Sequence, residues 1–455
     1  MHPAVKAELV TIVGADRGTD NPEDLVAYSY DAFTREHEPD LVLFPASTDE
    51  VSAIMRVAYR EEIPVTARGS GTNLAGEAVP LKGGIVLAMS RMDRIISIDR
   101  ENYRATVQPG VINYDFQVAV AKLGLLYPPD PASWMVCSIG GNVNTNAGGP
   151  RTVKYGVTRD YLTGLTVVLA NGEVLNTNDA SSNKRGYNLT HLFCGSEGTL
   201  GIVTEITVRL VPRPKATRTL RADFPKLEDS GRAVAAIIGA GIVPSALELM
   251  DDVVISAVEA DSRLGLPADS EGMLLVEVDG EPDSLDPQGR RIEEVLWSNK
   301  AARVIAAKSE AEAQSLWTAR RAAFSVMARL RPTVVMEDAT VPVSNLPKMI
   351  RKVRESAQRH GVRIGVVAHA GDGNLHPLIV FDKRDQDEVE RVRRATEEIY
   401  REALALGGTL SGEHGIGISK AHLLPLQFDP VAMEVTRRIK ACLDPKGILN
   451  PGKFV

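Results

Sequence analysis

The N-terminal half of the chain alternates between amphipathic segments and short apolar runs. Residues 49–62 carry apolar side chains three and four positions apart, which predicts a helix with one buried face, and Ser47 or Thr48 can cap it. A second helix is predicted over 114–123 and ends at Gly124. Strands are predicted over 64–67, 84–89, 103–107, 165–169 and 201–211.

The segment Val211-Pro212-Arg213-Pro214-Lys215 interrupts this alternation. Two prolines so close together cannot continue a central strand, so the segment predicts a domain boundary. Beyond it, the pattern predicts a second α/β sheet with helices packed on it. The predicted strands are 220–224, 273–278 and 302–306, and the predicted helices are 230–240, 290–298, 311–330, 346–360 and 388–406. Turns are predicted over 444–453.

Composition and charge exclude several classes of protein. The 455 residues are enough for two or more domains with their own cores. A net charge of −7 without a basic block argues against a nucleic-acid partner. No apolar run is long enough to be a transmembrane segment, and residues 1–13 lack the order of a signal peptide. We therefore expect a cytoplasmic protein.

The three cysteines support the same expectation. Cys137, Cys194 and Cys442 form neither a CxxC pair nor a disulfide framework, which suits a reducing compartment. Each is expected to be a small buried apolar residue. Three cysteines are also too few for iron–sulfur clusters within this chain.

Two histidines flank a glycine-rich turn in Ala368-His369-Ala370-Gly371-Asp372-Gly373-Asn374-Leu375-His376-Pro377. The flanks are typical of strands, so a hairpin would bring the imidazoles together. Paired imidazoles can share a divalent metal, and Glu413 in Ser411-Gly412-Glu413-His414-Gly415-Ile416-Gly417 offers a third ligand. The alternative is an ordinary hairpin with structural histidines. The clustering of three of the eight histidines in these two segments favours the metal site.

Three loops in the first half are rich in glycine and small polar residues, at 68–76, 139–149 and 195–203. Such loops let backbone N–H groups surround an anion. None matches the P-loop or the Rossmann fingerprint. Glycine could simply separate strands, but three such loops together favour a large phosphate-bearing ligand.

In this order, the loops resemble the FAD-binding domain of the vanillyl-alcohol oxidase and p-cresol methylhydroxylase (PCMH) flavoproteins. The motifs HAGDGNLHP, SGEHGIG and NPGK resemble the branch that contains the FAD-linked subunit of glycolate oxidase, D-lactate dehydrogenase and D-2-hydroxyglutarate dehydrogenase. The resemblance implies an α+β fold with a two-part PCMH-type FAD-binding domain and an α/β cap domain that binds substrate. The implied domains are 1–213, the cap 214–408 with Arg320 and the HxGDGNxH motif, and a C-terminal segment 409–455 that packs back on the FAD domain.

The resemblance also implies the FAD-binding residues. Residues 68–73 would surround the pyrophosphate, 129–133 and 140–149 would line the flavin and its phosphates, and 197–202 would bind the ribityl and adenosine end. Asn450 would reach toward the isoalloxazine. No His or Cys occurs from Pro64 to Pro80, so non-covalent FAD is expected. The implied set is Arg68, Gly69, Ser70, Gly71, Thr72, Asn73, Gly76, Pro129, Asp130, Ser133, Gly140, Gly141, Asn142, Thr145, Asn146, Gly148, Gly149, Glu197, Gly198, Gly201, Ile202 and Asn450.

The same resemblance assigns the chemistry. His369, His376 and Glu413 would bind the metal, either Zn²⁺ or, as alternatives, Mn²⁺ or Fe²⁺, and His414 would be the catalytic base. In an extended segment, Glu413 and His414 would point to opposite sides. Arg320 matches the LWxxR pattern of the branch and would bind the substrate carboxylate, with Asn374 adding a hydrogen bond. Without the resemblance, Arg320 would be taken as a solvated charge on a helix.

The implied reaction is FAD-dependent oxidation of a small D-2-hydroxy acid, glycolate or D-lactate, to the 2-keto acid. Branch members that act on dicarboxylates have polar or cationic groups where this chain has Phe324 and Met336, which favours a monoacid, although Arg321 and Arg331 are close in sequence.

Several alternatives stay open at this point. They are a D-2-hydroxyglutarate-type dehydrogenase, a metal-free flavin oxidase of sugars or alditols, a metal-dependent hydrolase or oxygenase without flavin, and a non-catalytic flavin subunit. The resemblance also implies an electron acceptor that the sequence does not identify. Oxygen, a quinone, a cytochrome and partner iron–sulfur subunits stay open as the acceptor. If the chain acts like the glycolate oxidase subunit, it would need partner flavin and iron–sulfur subunits, through which it could attach peripherally to a membrane.

Overall fold

The computed structural model describes residues 1–33, 36–177 and 186–454. Contacts divide the chain into two compact units. Unit 1 comprises Met1–Ala147, Val157–Arg213 and Glu413–Val455, and unit 2 comprises Gly148–Gly156 and Pro214–Gly412. One division between the units therefore falls between Arg213 and Pro214, within the proline-containing segment. The assignment of the domains 1–213, 214–408 and 409–455 stays a prediction.

The helices and strands are numbered in chain order. The helices are α1 (Pro3–Val13), α2 (Pro22–Ala27), α3 (Thr48–Glu61), α4 (Asn113–Ala121), α5 (Ile139–Thr145), α6 (Thr152–Tyr155), α7 (Thr158–Tyr161), α8 (Leu189–Phe193), α9 (Leu227–Gly239), α10 (Asp252–Ser262), α11 (Pro282–Ser298), α12 (Glu310–Ala328), α13 (Leu346–His360), α14 (Gln386–Ala405), α15 (Leu424–Gln427) and α16 (Pro430–Leu443). The strands are β1 (Gly18–Thr19), β2 (Leu41–Leu43), β3 (Val65–Arg68), β4 (Ile85–Ala88), β5 (Ile95–Asp99), β6 (Arg104–Val107), β7 (Leu125–Leu126), β8 (Leu162–Val168), β9 (Val174–Asn176), β10 (Ile202–Arg209), β11 (Val211–Pro212), β12 (Ala216–Phe224), β13 (Ala246–Asp251), β14 (Gly272–Gly280), β15 (Arg303–Ala306), β16 (Thr333–Met336), β17 (Ala339–Thr340), β18 (Arg363–His369) and β19 (Asn374–Phe381).

Unit 1 contains two larger sheets and a two-stranded pairing of β7 with β11 within its described part. In the first, of order β1-β2-β4-β3, strands β2 and β3 run parallel to β4. The second, of order β5-β6-β10-β8-β9, is antiparallel. Helices α1 and α3 cover the first sheet with apolar side chains that include Leu9 and Ile54. The Ser47 Oγ accepts a hydrogen bond from the Glu50 N–H at 3.2 Å, so Ser47 is the predicted cap of α3.

The second glycine-rich loop was predicted wrongly, because residues 139–145 form helix α5. Ser138 caps the helix by accepting the Gly141 N–H, and Asn146 ends it in the left-handed region at φ 55°. Gly140 weakens this helix, but packing requires a glycine there, because a Cβ on Gly140 would lie 2.5 Å from Pro109 Cβ. Capping and close packing therefore outweigh the low helix propensity of glycine.

Unit 2 is built around one large antiparallel sheet of order β15-β12-β14-β13-β18-β19-β16, in which β17 also pairs with β19. The three predicted strands and the hairpin at 369–376 are all present. Strand β13, which the sequence did not predict, lies in the middle of this sheet. Helix α11 begins at Pro282 rather than near 290, since Pro287 within it disguised the helical pattern.

The core of unit 2 joins the sheet to helices α10 and α12. Its buried side chains include Val254, Trp317, Met327 and Leu378. The short segment 148–156 belongs to this unit because the Tyr155 hydroxyl donates to Asp279 Oδ2 at 2.6 Å and Lys154 forms an ion pair with the same carboxylate. Among the helices of the described ranges, none has the length and apolarity that a bilayer crossing requires.

The three cysteines are free thiols. Cys137 and Cys194 are buried as expected, and burial raises the pKa of each thiol to about 11. The expectation was wrong for Cys442, which is exposed near the end of α16. None of the residues of that helix is buried.

Replacing Leu378 with Ala should lower the free energy of unfolding of unit 2 by about 2–5 kcal/mol, because the fully buried side chain would leave a cavity. Urea unfolding followed by tryptophan fluorescence measures this, since Trp317 lies in the same core. Leu330→Ala is the control: this side chain is 37% exposed, and its loss should cost no more than about 0.5 kcal/mol. Equal unfolding midpoints for the two variants would contradict the assigned core.

Candidate active site

The predicted histidine hairpin is present in unit 2. Strands β18 and β19 pair with His369 opposite Asn374 and His376 opposite Val367, which places the two histidines diagonally on one face. Their ring centroids lie 4.8 Å apart with the planes at 81°. One nitrogen of each ring lies within 4.8 Å of a nitrogen of the other. The chemistry and spacing of these donors therefore fit two ligands of one divalent metal.

Each imidazole lies beside a buried carboxylate that the sequence analysis missed. His369 Nδ1 lies 2.8 Å from Glu248 Oε1, and Glu248 is directly opposite His369 in the pairing of β13 with β18. His376 Nδ1 lies 3.9 Å from Asp338 Oδ1. Burial favours the neutral form of Glu248, but its interactions with His369, including a hydrogen bond, and with the charge of Arg320 hold its pKa below the usual value. The sequence does contain a signal for this carboxylate, because Glu248 is an acidic residue within the apolar run 246–250. An acidic residue in such a run is buried only with a partner, so a buried partner could have been expected.

Arg320 projects from α12 and is 7% exposed, so the alternative of a solvated surface charge was wrong. Its Nη2 lies 2.7 Å from Glu248 Oε2. The buried Nε has no hydrogen-bond partner among the described residues. A buried guanidinium with a donor left over fits the binding of a substrate carboxylate.

Asn374 and the beginning of the SGEHGIG segment are tied together within unit 2. The Thr340 hydroxyl donates to Asn374 Oδ1 at 2.9 Å. The Ser411 hydroxyl and the Gly412 N–H both donate to Asp338 Oδ2, at 2.6 and 2.9 Å. Unit 2 thus ends at Gly412, which is fixed beside Asp338. Asp338 is also the neighbour of His376.

The rest of this segment belongs to unit 1 and is bent. Glu197 accepts hydrogen bonds from the N–H groups of Ile416 and Gly417 at 2.7 and 2.9 Å. Gly415 has a φ of 89°, where a side chain would be strained. Because of this bend, Glu413 Oε1 and His414 Nε2 lie only 3.8 Å apart. The expectation that the two side chains point to opposite sides was wrong, and their individual roles stay predictions.

Unit 1 contains a cleft between its glycine-rich segments. All three glycine-rich segments contribute to it. The predicted FAD-binding residues that line it are Arg68, Gly69, Asn73, Gly140, Gly141, Thr145, Glu197 and Gly198. Asn144, within the predicted range 140–149, also lines it, and the lining residues that were not predicted are Ala67, Glu77, Ala78, Met89, Pro109, Ser138 and Val203.

Glycines keep this cleft open. A Cβ on Gly69 would lie 2.2 Å from Ser138 Oγ, and one on Gly71 would lie 2.2 Å from the Arg68 guanidinium. Arg68 is buried and donates to the Tyr30 carbonyl at 2.6 Å. Burial lowers the pKa of Arg68, although Asp31 opposes this shift. A fixed cation beside a loop whose two glycines cannot carry side chains fits a phosphate-bearing cofactor.

Several predicted FAD-binding residues have other surroundings. Ile202 lies in the apolar core and Gly201 packs on Val167, while Gly148 and Gly149 belong to unit 2. The Asn450 amide donates to the carbonyls of Glu77 and Glu197, which fixes the C-terminal tail. The predicted residues outside the lining of the cleft are Ser70, Gly71, Thr72, Gly76, Pro129, Asp130, Ser133, Asn142, Asn146, Gly148, Gly149, Gly201, Ile202 and Asn450. Their contacts with FAD stay predictions.

Comparison with known proteins adds the family. The family described as "FAD binding domain" matches residues 39–178, and that described as "FAD linked oxidases, C-terminal domain" matches residues 213–454. The glycolate oxidase subunit GlcD of Bacillus subtilis (strain 168) is 44% identical over 452 residues, which are 99% of this chain and 96% of that protein. This chain belongs to the FAD-linked oxidase family.

This FAD-linked oxidase is also similar to a probable mitochondrial D-lactate dehydrogenase of Danio rerio, 36% identical over 92% of this chain and 84% of that protein. In fold it resembles p-cresol methylhydroxylase with substrate bound, with a TM-score of 0.82 at 18% identity over 99% of this chain and 96% of the other. The resemblance and the PCMH-type fold predicted from the sequence are confirmed. The chain is an FAD-linked oxidoreductase.

Replacing Gly69 with Ala should weaken FAD binding about tenfold or more, since the new methyl group would displace Ser138 and narrow the cleft. The ratio of visible flavin absorbance to protein absorbance after dialysis measures retention. Gly239→Ala is the control, because a Cβ at this position at the end of α9 would meet nothing within 4 Å apart from its chain neighbours and the backbone of its own helix. Equal flavin content in the two variants would show that Gly69 does not shape the FAD site.

Proposed function

We propose that this FAD-linked oxidase oxidises a small D-2-hydroxy acid, glycolate or D-lactate, to the 2-keto acid. The observation that carries the proposal is the buried Arg320 in the same unit as the paired imidazoles of His369 and His376. Substrates of this class have a carboxylate for the guanidinium and a hydroxyl for a metal. The glycolate oxidase and D-lactate dehydrogenase relatives support the same class.

His369, His376 and Glu413 are the proposed metal ligands. Glu413 directly follows Gly412, whose N–H is bonded to Asp338 beside His376. Two imidazoles and one carboxylate suit Zn²⁺, and Mn²⁺ or Fe²⁺ would also fit. The metal would supply Lewis acidity to the substrate hydroxyl.

The side chains divide the remaining work. Arg320 binds the substrate carboxylate, and Asn374 adds a hydrogen bond that orients the acid. His414 removes the hydroxyl proton, a role that typically contributes about 10²- to 10⁴-fold to the rate. FAD, when bound, supplies the acceptor for the hydride that leaves the substrate carbon, which gives the 2-keto acid and reduced flavin.

The surroundings of Arg320 favour a monoacid over D-2-hydroxyglutarate. Phe324 and Met336 are partly buried against the apolar core of unit 2. The cations that weakened the sequence argument are engaged elsewhere: Arg331 pairs with Glu388 at 2.7 Å, and the Arg321 guanidinium lies over the Trp317 ring. A second carboxylate would therefore lack a charged partner there.

The proposal extends to the cofactor and to partners. FAD is bound non-covalently, because the lining of the cleft in unit 1 includes neither His nor Cys among the described residues. Electrons leave through an acceptor that is still to be identified. Iron–sulfur clusters or a second flavin would belong to partner subunits, as the word subunit in the name of the Bacillus subtilis relative suggests. We place the chain in the cytoplasm, with any membrane attachment made by such partners.

The proposed reaction is tested by mixing the yellow holoenzyme anaerobically with D-lactate, glycolate, D-2-hydroxyglutarate and an alditol. D-lactate or glycolate should bleach the flavin absorbance fastest. Removal of metal with a chelator should slow the bleaching, and added Zn²⁺ or Mn²⁺ should restore it. Bleaching by the alditol alone, or by none of the four, would refute the proposal.

A His414→Ala variant should keep its FAD but reduce the flavin about 10²- to 10⁴-fold more slowly, because the proton acceptor is lost. Stopped-flow absorbance under saturating substrate measures the rate. His422→Ala is the matched control, since this histidine is exposed eight positions further along the same segment. If both variants react at the rate of the unaltered protein, His414 is not the base.

A further inference from the structure

Glu248 has both carboxylate oxygens committed to residues of the proposed site. Oε1 lies 2.8 Å from His369 Nδ1, and Oε2 lies 2.7 Å from Arg320 Nη2. The residue is 1% exposed and lies on β13 in the middle of the large sheet of unit 2. We propose that Glu248 is a positioning residue that orients the metal ligand His369 and the substrate-binding Arg320 together, an inference that rests on the function proposed above.

The contact with His369 fixes which ring nitrogen can bind a metal. A carboxylate oxygen accepts hydrogen bonds, so the proton of the neutral imidazole must lie on Nδ1. The lone pair is then on Nε2, and the ring cannot rotate without breaking the 2.8 Å contact. Carboxylates that orient metal-binding histidines in this way typically contribute 10- to 100-fold to metal affinity or activity.

The contact with Arg320 compensates the charge of its buried guanidinium. A guanidinium that is 7% exposed needs an opposite charge in the absence of substrate, and Glu248 supplies it. The ion pair lies on the Nη2 side of the guanidinium, and neither Nη2 nor Nε has a hydrogen-bond partner in the part of the chain that the structure describes. Glu248 thus contacts the Arg320 guanidinium on one side, and other N–H groups of the guanidinium can still donate to a substrate carboxylate.

The positions of the three residues are set by the sheet and by one helix. Glu248 and His369 are direct cross-strand neighbours, so the backbone ladder fixes their separation. Arg320 approaches from α12, which packs on the same sheet through Trp317 and Met327. A change at Glu248 should therefore alter both metal binding by His369 on β18 and substrate binding by Arg320 on α12. If Glu248 had only a structural role, the change would affect only the stability of the fold.

Glu248→Gln in the FAD-loaded protein is the deciding variant, because it keeps the shape of the side chain but removes the charge. We expect metal affinity, measured by competition with a chromophoric chelator, to fall about tenfold or more. With metal in excess to refill the site, KM for the preferred acid should stay raised about tenfold, since Arg320 has lost its anchor. Glu248→Asp, which keeps the charge, should recover part of both losses.

Glu277→Gln is the matched control. Glu277 lies on the neighbouring strand β14, and its carboxylate accepts from Trp317 Nε1 at 3.0 Å without contacting either site residue. Circular dichroism and urea unfolding monitor folding of all variants. Unchanged metal affinity in a folded Glu248→Gln protein overturns the inference for His369, and full recovery of KM by excess metal overturns it for Arg320.

The outcomes also separate this inference from the proposed function. An unaltered protein that binds no metal and reacts with none of the acids overturns both. An unaltered protein that binds metal and oxidises the acid, together with an indifferent Glu248→Gln variant, overturns the role of Glu248 alone.

Discussion

The register of three neighbouring strands in unit 2 determines where the chemistry lies. Glu248 on β13 is opposite His369 on β18, and His369 is opposite Asn374 on β19, so one row across the sheet carries a carboxylate, an imidazole and an amide. His376 lies in the next row on the same face, opposite Val367. Because side chains alternate between the faces of a strand, a slip of one residue would send this set to the other face. The backbone ladder is thus the precondition for the proposed metal and substrate sites.

The cleft of unit 1 depends on a different constraint, the absence of side chains at certain glycines. Gly69 and Gly140 allow the loop after β3 and helix α5 to approach Ser138 and Pro109 at distances that a Cβ would prevent. Buried acids then fix the bent segment that carries His414. Glu197 accepts two backbone N–H groups of that segment, and a Cβ on Gly415 would lie 2.6 Å from Glu77 Oε1. Burial, and next the charge of Glu197, raise the pKa of Glu77.

The sequence was informative where the signal is local. The amphipathic spacing of α3 and α13 and the turn chemistry of the histidine hairpin depend on residues that lie close together in the chain. Glu248 was missed because its partner His369 lies 121 positions away, and nothing near residue 248 indicates that distance. The bend that brings Glu413 and His414 together was missed for a similar reason, since Gly415 meets acids from two distant loops.

The C-terminal tail has a consequence for how unit 1 is assembled during synthesis. The Val65 N–H donates to the Ile448 carbonyl and the Asn450 N–H donates to the Val65 carbonyl, so β3 gains a neighbour from the far end of the sequence. Every residue of unit 2 between Pro214 and Gly412 is translated before that neighbour exists. A ribosome-bound intermediate can therefore form the second unit while β3 of the first unit still lacks this C-terminal neighbour.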